Sequence, residues 1–99
     1  MTRNREEILK AIQQNNASLR KYGVRRLGVF GSFARDEAGP DSDVDVLVEL
    51  EKKTFRSYMG LKLFLEELLG RPVDLVLTES IKPRLRETIL RETVYAAGL

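Results

Sequence analysis

The segment DVDVLVEL, from Asp43 to Leu50, constrains the fold more than any other part of the sequence. Valine is enriched in β-strands and aspartate is depleted from them, so this alternation predicts a strand that is apolar on one face and acidic on the other. Residues two apart on a strand point to the same side of the sheet, which places Asp43 and Asp45 together. Such a strand needs other elements to cover its apolar face, and its paired carboxylates need an explanation.

The rest of the sequence supplies elements that can cover this strand. Two long segments repeat apolar residues at helical spacing, and two short apolar runs have the composition of strands. The predicted elements are a helix from Arg5 to about Lys21, a strand from Val24 to Phe30, a short helix within residues 31–37, a turn from Ala38 to Ser42, the strand from Asp43 to Leu50, a helix capped by Thr54 and ending near Leu69 before Gly70, a strand from Val73 to Thr78, and a helix from about Pro83 to Tyr95. The order α-β-α-β-α-β-α predicts an α/β (α+β) fold, with about four helices on a sheet of at least three strands.

Composition limits the chemistry that this chain can perform. Its 99 residues contain no cysteine and no histidine, so any general base or metal ligand must be a carboxylate, and carboxylates suit Mg²⁺ or Mn²⁺ better than zinc. The length fits one domain, residues 1–99. No apolar run approaches the ~20 residues that cross a bilayer, and the start of the chain lacks a secretory signal, so we expect a cytoplasmic protein without membrane contact. A formal net charge of +2 gives no strong indication of nucleic-acid binding.

The pair Gly31-Ser32 directly follows a predicted strand and precedes a short helix. Glycine lets the backbone approach a ligand closely, and the N–H groups at the start of a helix favour anions. The Ser32 hydroxyl could add a further hydrogen bond to a phosphate. An ordinary strand-to-helix turn with a serine cap fits the same residues, so this pair alone leaves both interpretations open.

A third acidic residue, Asp74, lies among the apolar residues of the next predicted strand. Each of the three aspartates taken alone could simply be solvated. If the two strands are neighbours, however, Asp74 joins Asp43 and Asp45, and three carboxylates can hold two Mg²⁺ ions about 3.5–4 Å apart. Phosphoryl-type transfer depends mainly on positioning and charge stabilisation, so it needs neither histidine nor cysteine. A structural ion site remains an alternative, although it would not need the Gly31-Ser32 turn.

The spacing of these residues resembles a known family motif. Gly31-Ser32, ten further residues and then Asp43-Val44-Asp45 match the GS-x10-DxD motif of the DNA polymerase β-like nucleotidyltransferase superfamily. The stretch GVFGSFARDEAGPDSDVDVLVEL resembles its small stand-alone members, the minimal nucleotidyltransferases or MNT domains. RPVDLV is similar to the segment with their third aspartate, and PRLRETILRETVY to their closing helix. The resemblance covers about residues 23–95 and implies the polymerase β-like fold with a small mixed sheet.

The resemblance also implies roles for the matching residues. Ser32 and the backbone of Gly31 would hold the triphosphate of ATP. Asp43 and Asp45 would bind two Mg²⁺ ions, with Mn²⁺ as an alternative. Asp74 would complete the metal site and help to deprotonate the incoming hydroxyl group.

Two further residues are weaker candidates for the nucleotide site. Arg35, one helical turn beyond Ser32, could contact the phosphates, but a surface arginine fits equally well. Ser42 could orient Asp43, but it also suits a turn.

The family implies an enzyme that transfers AMP from ATP to a hydroxyl group. The chain resembles the MNT antitoxin of two-gene modules whose toxin is a HEPN protein, so we expect a HEPN partner and a tyrosine acceptor. One alternative is an antitoxin that neutralises its partner by binding alone. Its interface candidates, which also suit ordinary core packing, are Tyr58, Met59, Leu61, Phe64 and Tyr95. A further alternative is nucleotidyl transfer to RNA or to a small molecule.

Overall fold

Four strands form one mixed sheet in the computed structural model, which describes residues 4–39 and 41–98. The elements are α1 (Arg5–Gln14), α2 (Asn16–Lys21), β1 (Val24–Phe30), α3 (Gly31–Ala34), β2 (Val44–Leu50), α4 (Phe55–Leu69), β3 (Val73–Leu77), a single 3-10 turn (Thr78–Ser80), α5 (Pro83–Glu92) and β4 (Val94–Tyr95). The strand order is β3-β2-β1-β4; β2 runs parallel to β3 and antiparallel to β1, and β4 runs antiparallel to β1. The predicted α/β class and small mixed sheet are confirmed.

The two faces of β2 face different layers, as its alternation predicts. Val44, Val46 and Val48 are fully buried in the main core, which also contains the apolar residues of α1, α2 and α4. Leu47 lies on the opposite face in a second, smaller cluster with Phe30 and with residues at and near α5. Because side chains alternate along a strand, Asp45 shares the face of Leu47 and looks toward the α5 side.

The longest helix, α4, begins and ends where the sequence predicts. The Thr54 hydroxyl accepts a hydrogen bond from the Ser57 N–H at 3.1 Å, and Gly70 ends the helix in the left-handed conformation with φ 67°. None of the helices within residues 4–39 and 41–98 is both long and apolar enough to span a membrane.

The predicted first helix is instead two helices. The helix is interrupted at Asn15, whose φ of −115° is not helical. The side-chain amide of Asn15 donates to the Ala11 carbonyl at 2.8 Å. Asparagine competes with the helical backbone for hydrogen bonds, which explains why α1 ends there although the apolar pattern continues.

The predicted last helix is also too long, since α5 ends at Glu92. The Thr93 hydroxyl donates to the Ile89 carbonyl at 2.6 Å, and the chain then becomes extended. Val94 and Tyr95 pair with β1 as a fourth strand. Pairing with the sheet therefore outweighs the helical pattern over these residues.

Smaller differences concern strand ends and the turn before β2. Asp43 immediately precedes β2 rather than opening it, and β3 ends at Leu77. In the predicted turn, two hydrogen bonds join Gly39 and Ser42. The Gly39 N–H donates to the Ser42 hydroxyl at 2.9 Å, and the Ser42 N–H donates to the Gly39 carbonyl at 3.2 Å. Pro40, which belongs to the same prediction, lies outside the described residues.

Two leucines of α4 provide a matched test of this packing. Leu65 is fully buried and Leu63 is 59% exposed, although both lie on one helix. We expect Leu65→Ala to lower the free energy of unfolding by about 2–5 kcal/mol, because it leaves a cavity in the core. Leu63→Ala should change it by less than about 0.5 kcal/mol. Urea unfolding followed by circular dichroism measures both, and equal losses would contradict this assignment of the core.

Candidate active site

Strand register brings the predicted acidic residues to one end of the sheet. Asp45 lies opposite Asp74 in the parallel pair of β2 and β3, and opposite Phe30 in the antiparallel pair of β2 and β1. Asp43 is exposed two residues before Asp45, and Asp74 is exposed on β3. Gly31 follows Phe30 directly, so the glycine-serine turn and the carboxylates meet at the same corner.

Gly31 is needed at this corner because of the Asp45 side chain. A Cβ atom on Gly31 would lie 2.1 Å from Asp45 Oδ2, which is far inside any allowed contact. The glycine also has a φ of +69°, a conformation that other residues rarely adopt. The absence of a side chain therefore lets the carboxylate lie directly against the turn that opens α3.

The Gly31 N–H, which the sequence assigns to the triphosphate, has a partner within the chain. It donates to Glu92 Oε1 at 3.0 Å, and Arg35 Nη1 donates to the other carboxylate oxygen, Oε2, at 2.9 Å. Glu92 was not among the predicted site residues. One sequence signal could have drawn attention to it: a glutamate in the last turn of a helix is disfavoured by the helix dipole, so it is expected to have a compensating partner.

The remaining candidates divide between the site and the surrounding turn. Arg35 also pairs with Glu37 at 3.2 Å, and its hydrogen bonds to Glu37 and Glu92 raise the pKa of its guanidinium. Ser32 is partly exposed at the start of α3. The Ser42 hydroxyl accepts the Gly39 N–H at 2.9 Å, which is the turn role that the sequence also allows.

Two arginines attach the loops around this corner to the rest of the fold. Arg5 Nη1 donates to the Ala34 carbonyl at 2.8 Å and thereby ties the start of α1 to the end of α3. Arg71 Nη1 donates to the Ser42 carbonyl at 3.0 Å, just before the aspartates, and its guanidinium lies 5.0 Å from the Phe33 ring centre. Both contacts join segments far apart in sequence, so they hold the turn and the acidic strand in a fixed relation.

Asp45 is the carboxylate most affected by its surroundings. Partial burial and, after it, the charges of Asp74 and Asp43 together raise its pKa from 3.8 to about 6, while Arg35 acts in the opposite direction. The negative charges at this corner thus outweigh the positive charge of Arg35.

The donor set fits a divalent cation that prefers oxygen ligands. Three aspartates from adjacent strand ends supply carboxylate oxygens only, and a cation between them would relieve the repulsion that raises the pKa of Asp45. Within residues 4–39 and 41–98, no three acidic side chains are already gathered into one metal cluster. Holding an ion therefore requires the carboxylates to turn toward each other.

Two glycines with the same backbone conformation separate the effect of strain from that of the Asp45 contact. Gly31 and Gly70 have φ values of +69° and +67°, but a Cβ on Gly70 would have no atom within 4 Å. We expect Gly70→Ala to lower the free energy of unfolding by about 1 kcal/mol through backbone strain. Gly31→Ala should lower it by about 1–3 kcal/mol more, because the carboxylate must move. Chemical denaturation gives both values, and equal losses would contradict the contact.

The raised pKa of Asp45 predicts how stability depends on pH. The folded state favours the protonated carboxyl of Asp45. The contribution of this group to the free energy of unfolding is therefore fully present below the ordinary pKa of 3.8 and is lost as the pH rises through about 6. We expect Asp45→Asn to stabilise the metal-free protein at pH 7 by about 1–2 kcal/mol, a value reduced for partial exposure. The gain should shrink toward zero near pH 4. Urea unfolding in EDTA tests this, with exposed Asp41→Asn as the control; a gain that is independent of pH would refute it.

Known proteins resemble this chain in sequence and in fold. The family model described as nucleotidyltransferase domain matches residues 5–96. The protein adenylyltransferase MntA of Thermococcus cleftensis is 46% identical over 92 residues, which cover 91% of this chain and 93% of the relative. A solved structure named as a minimal nucleotidyltransferase has a TM-score of 0.78 at 45% identity, over 93% of this chain and 95% of the other.

A more distant likeness extends the fold comparison. One chain from the complex of the tri-AMPylated Shewanella oneidensis HEPN toxin with its MNT antitoxin has a TM-score of 0.64 at 19% identity, over 92% of this chain and 73% of the other. At this identity the likeness concerns the fold alone. The family match and the close relatives confirm the resemblance found in the sequence, and the chain belongs to the nucleotidyltransferase domain family as a minimal nucleotidyltransferase.

Proposed function

We propose that this nucleotidyltransferase transfers AMP from ATP to a tyrosine hydroxyl of a HEPN partner protein and thereby acts as an antitoxin. The observation that carries the proposal is the corner where the Asp45 carboxylate lies against Gly31, beside Asp74 on the adjacent strand. The relative that is 46% identical is named a protein adenylyltransferase, and an MNT antitoxin of the same fold forms a complex with a tri-AMPylated HEPN toxin.

The described contacts suggest how the residues divide the work. Because the Gly31 N–H is already bonded to Glu92, binding of the triphosphate falls to the Ser32 hydroxyl and to backbone N–H groups at the start of α3. Arg35 is 46% exposed and close enough to the corner to act on the pKa of Asp45, so it can also face the phosphates. Ser42 has a contact within the turn before Asp43, and its part in the nucleotide site stays a prediction.

The three aspartates would hold Mg²⁺ and prepare the acceptor. Bound Mg²⁺ would neutralise charge on the triphosphate and on the departing pyrophosphate. Asp74 is exposed on the edge strand β3, where an acceptor hydroxyl can reach it and give up its proton. The tyrosine oxygen then bonds to the α-phosphorus, the bond from that phosphorus to the bridging oxygen breaks, and pyrophosphate leaves with the electron pair.

The alternative of an antitoxin that acts by binding alone receives less support from the packing. Leu61 is fully buried, Phe64 packs against the Tyr22 ring at 5.4 Å, and the Tyr58 hydroxyl donates to the Leu75 carbonyl. The Tyr95 ring is covered by the Arg26 guanidinium at 3.9 Å. These candidate interface residues, apart from the partly buried Met59, thus have partners within the chain.

Neutralising the central aspartates tests the enzymatic proposal. With α-labelled ATP, Mg²⁺ and the purified HEPN partner, we expect Asp43→Asn and Asp45→Asn each to reduce labelling of the partner by about a hundredfold or more, because each removes charge that holds the cation. Asp41→Asn makes the same chemical change at an exposed turn residue and should label the partner like the unaltered chain.

The fate of the partner distinguishes the alternatives. If the Asp43→Asn/Asp45→Asn protein still silences the partner while no variant transfers label, the antitoxin neutralises its partner by binding alone. Label that appears on RNA or on a small molecule in place of the partner would refute the tyrosine acceptor.

A further inference from the structure

We propose that Glu92 is a positioning residue of the nucleotide site, which fixes the Gly31-Ser32 turn and the Arg35 side chain from the end of α5. This inference rests on the proposed function, since the turn and Arg35 are the groups there assigned to the triphosphate. It adds a residue that lies outside the GS-x10-DxD motif.

The two carboxylate oxygens of Glu92 have separate tasks. Oε1 accepts the Gly31 N–H at 3.0 Å and Oε2 accepts Arg35 Nη1 at 2.9 Å. The Glu92 side chain is 23% exposed, whereas Glu37, the other partner of Arg35, is 65% exposed. Exposed ion pairs contribute little, so the more enclosed Glu92 is the partner that determines where the guanidinium lies.

The turn at Gly31 needs an external partner because it lacks local ones. Phe30 precedes α3 and provides no side-chain hydrogen bond to cap it, and α3 itself is only four residues long. Gly31 is buried, so its N–H would lose a hydrogen bond if Glu92 were removed. The carboxylate therefore replaces the cap that the sequence next to the turn does not provide.

The sheet explains how Glu92 reaches this position. β4 pairs antiparallel with β1, with Val94 opposite Val29. Continuing this register by two residues places Glu92 beside Gly31. The last turns of α5 pack Ile89 and Leu90 against the second cluster, and the two-residue strand that follows pairs with β1, so both sides of Glu92 are held in place.

The same contacts admit an opposite interpretation, in which Glu92 merely occupies the phosphate position and is displaced by ATP. The two interpretations predict opposite changes in nucleotide affinity. Loss of a positioning residue weakens binding of Mg-ATP, whereas loss of a competing carboxylate strengthens it.

Titration calorimetry with Mg-ATP on the full chain tests the proposal. We expect Glu92→Ala to weaken binding about tenfold, because it removes two hydrogen bonds that include a charged group. Glu92→Gln keeps an oxygen for the Gly31 N–H but loses the charge that faces Arg35, so its loss should be smaller. The control is Glu87→Gln on the same helix, where Glu87 is 84% exposed and pairs with Arg91 at 2.6 Å. Unchanged or tighter binding by Glu92→Gln and Glu92→Ala would overturn the proposal.

Two further measurements separate positioning from general stability and from failure of the proposed function. Combining Arg35→Ala with Glu92→Ala should weaken binding by less than the product of the single effects, because both act through one contact; independent effects would contradict it.

Amide hydrogen exchange without nucleotide should be faster at Gly31 in Glu92→Ala than in the unaltered chain. If the unaltered chain binds no ATP, the proposed function fails, and the exchange rate at Gly31 still tests the Glu92 contact.

Discussion

Repulsion among carboxylates at one end of the sheet is the constraint on which the rest of the structure depends. Asp45 is partly buried between Asp43 and Asp74, and both burial and like charge raise its pKa to about 6. A strand that carries such a residue must gain its stability elsewhere. The opposite face of β2 does so, because its valines are fully buried in the main core. One strand therefore combines fully buried core residues with a carboxylate that is costly to ionise.

The acidic corner also determines the chain around it. Gly31 has no side chain because the Asp45 carboxylate takes that space, and the positive φ at Gly31 turns the chain sharply into α3. Arg35 then returns toward the acids and is held by Glu92. These contacts fix the turn and Arg35 beside the acidic strand, whereas the carboxylates still have to turn toward each other to hold a cation.

Local chemistry predicted much of this fold, and long-range partners account for what it missed. Strand β1 follows from its short run of apolar residues, and helix α4 from its apolar stripe, the Thr54 cap and Gly70, all of which lie within or next to the element. The break at Asn15 depends on one side-chain hydrogen bond that the apolar pattern does not reveal. Glu92 escaped notice because its partner at Gly31 is 61 residues away, and the motif contains no sign of it.

The edge position of β3 leaves the acidic corner open to water. Asp74 lies on the outermost strand of the sheet and is exposed, so a folded protein can approach it without passing through a channel. Bulk solvent has the same access, and ATP held at such a corner is open to wasteful hydrolysis. In the proposed reaction, shielding of the reactive phosphate from water would then come from the acceptor. The protein substrate itself would then cover the open side of the active site.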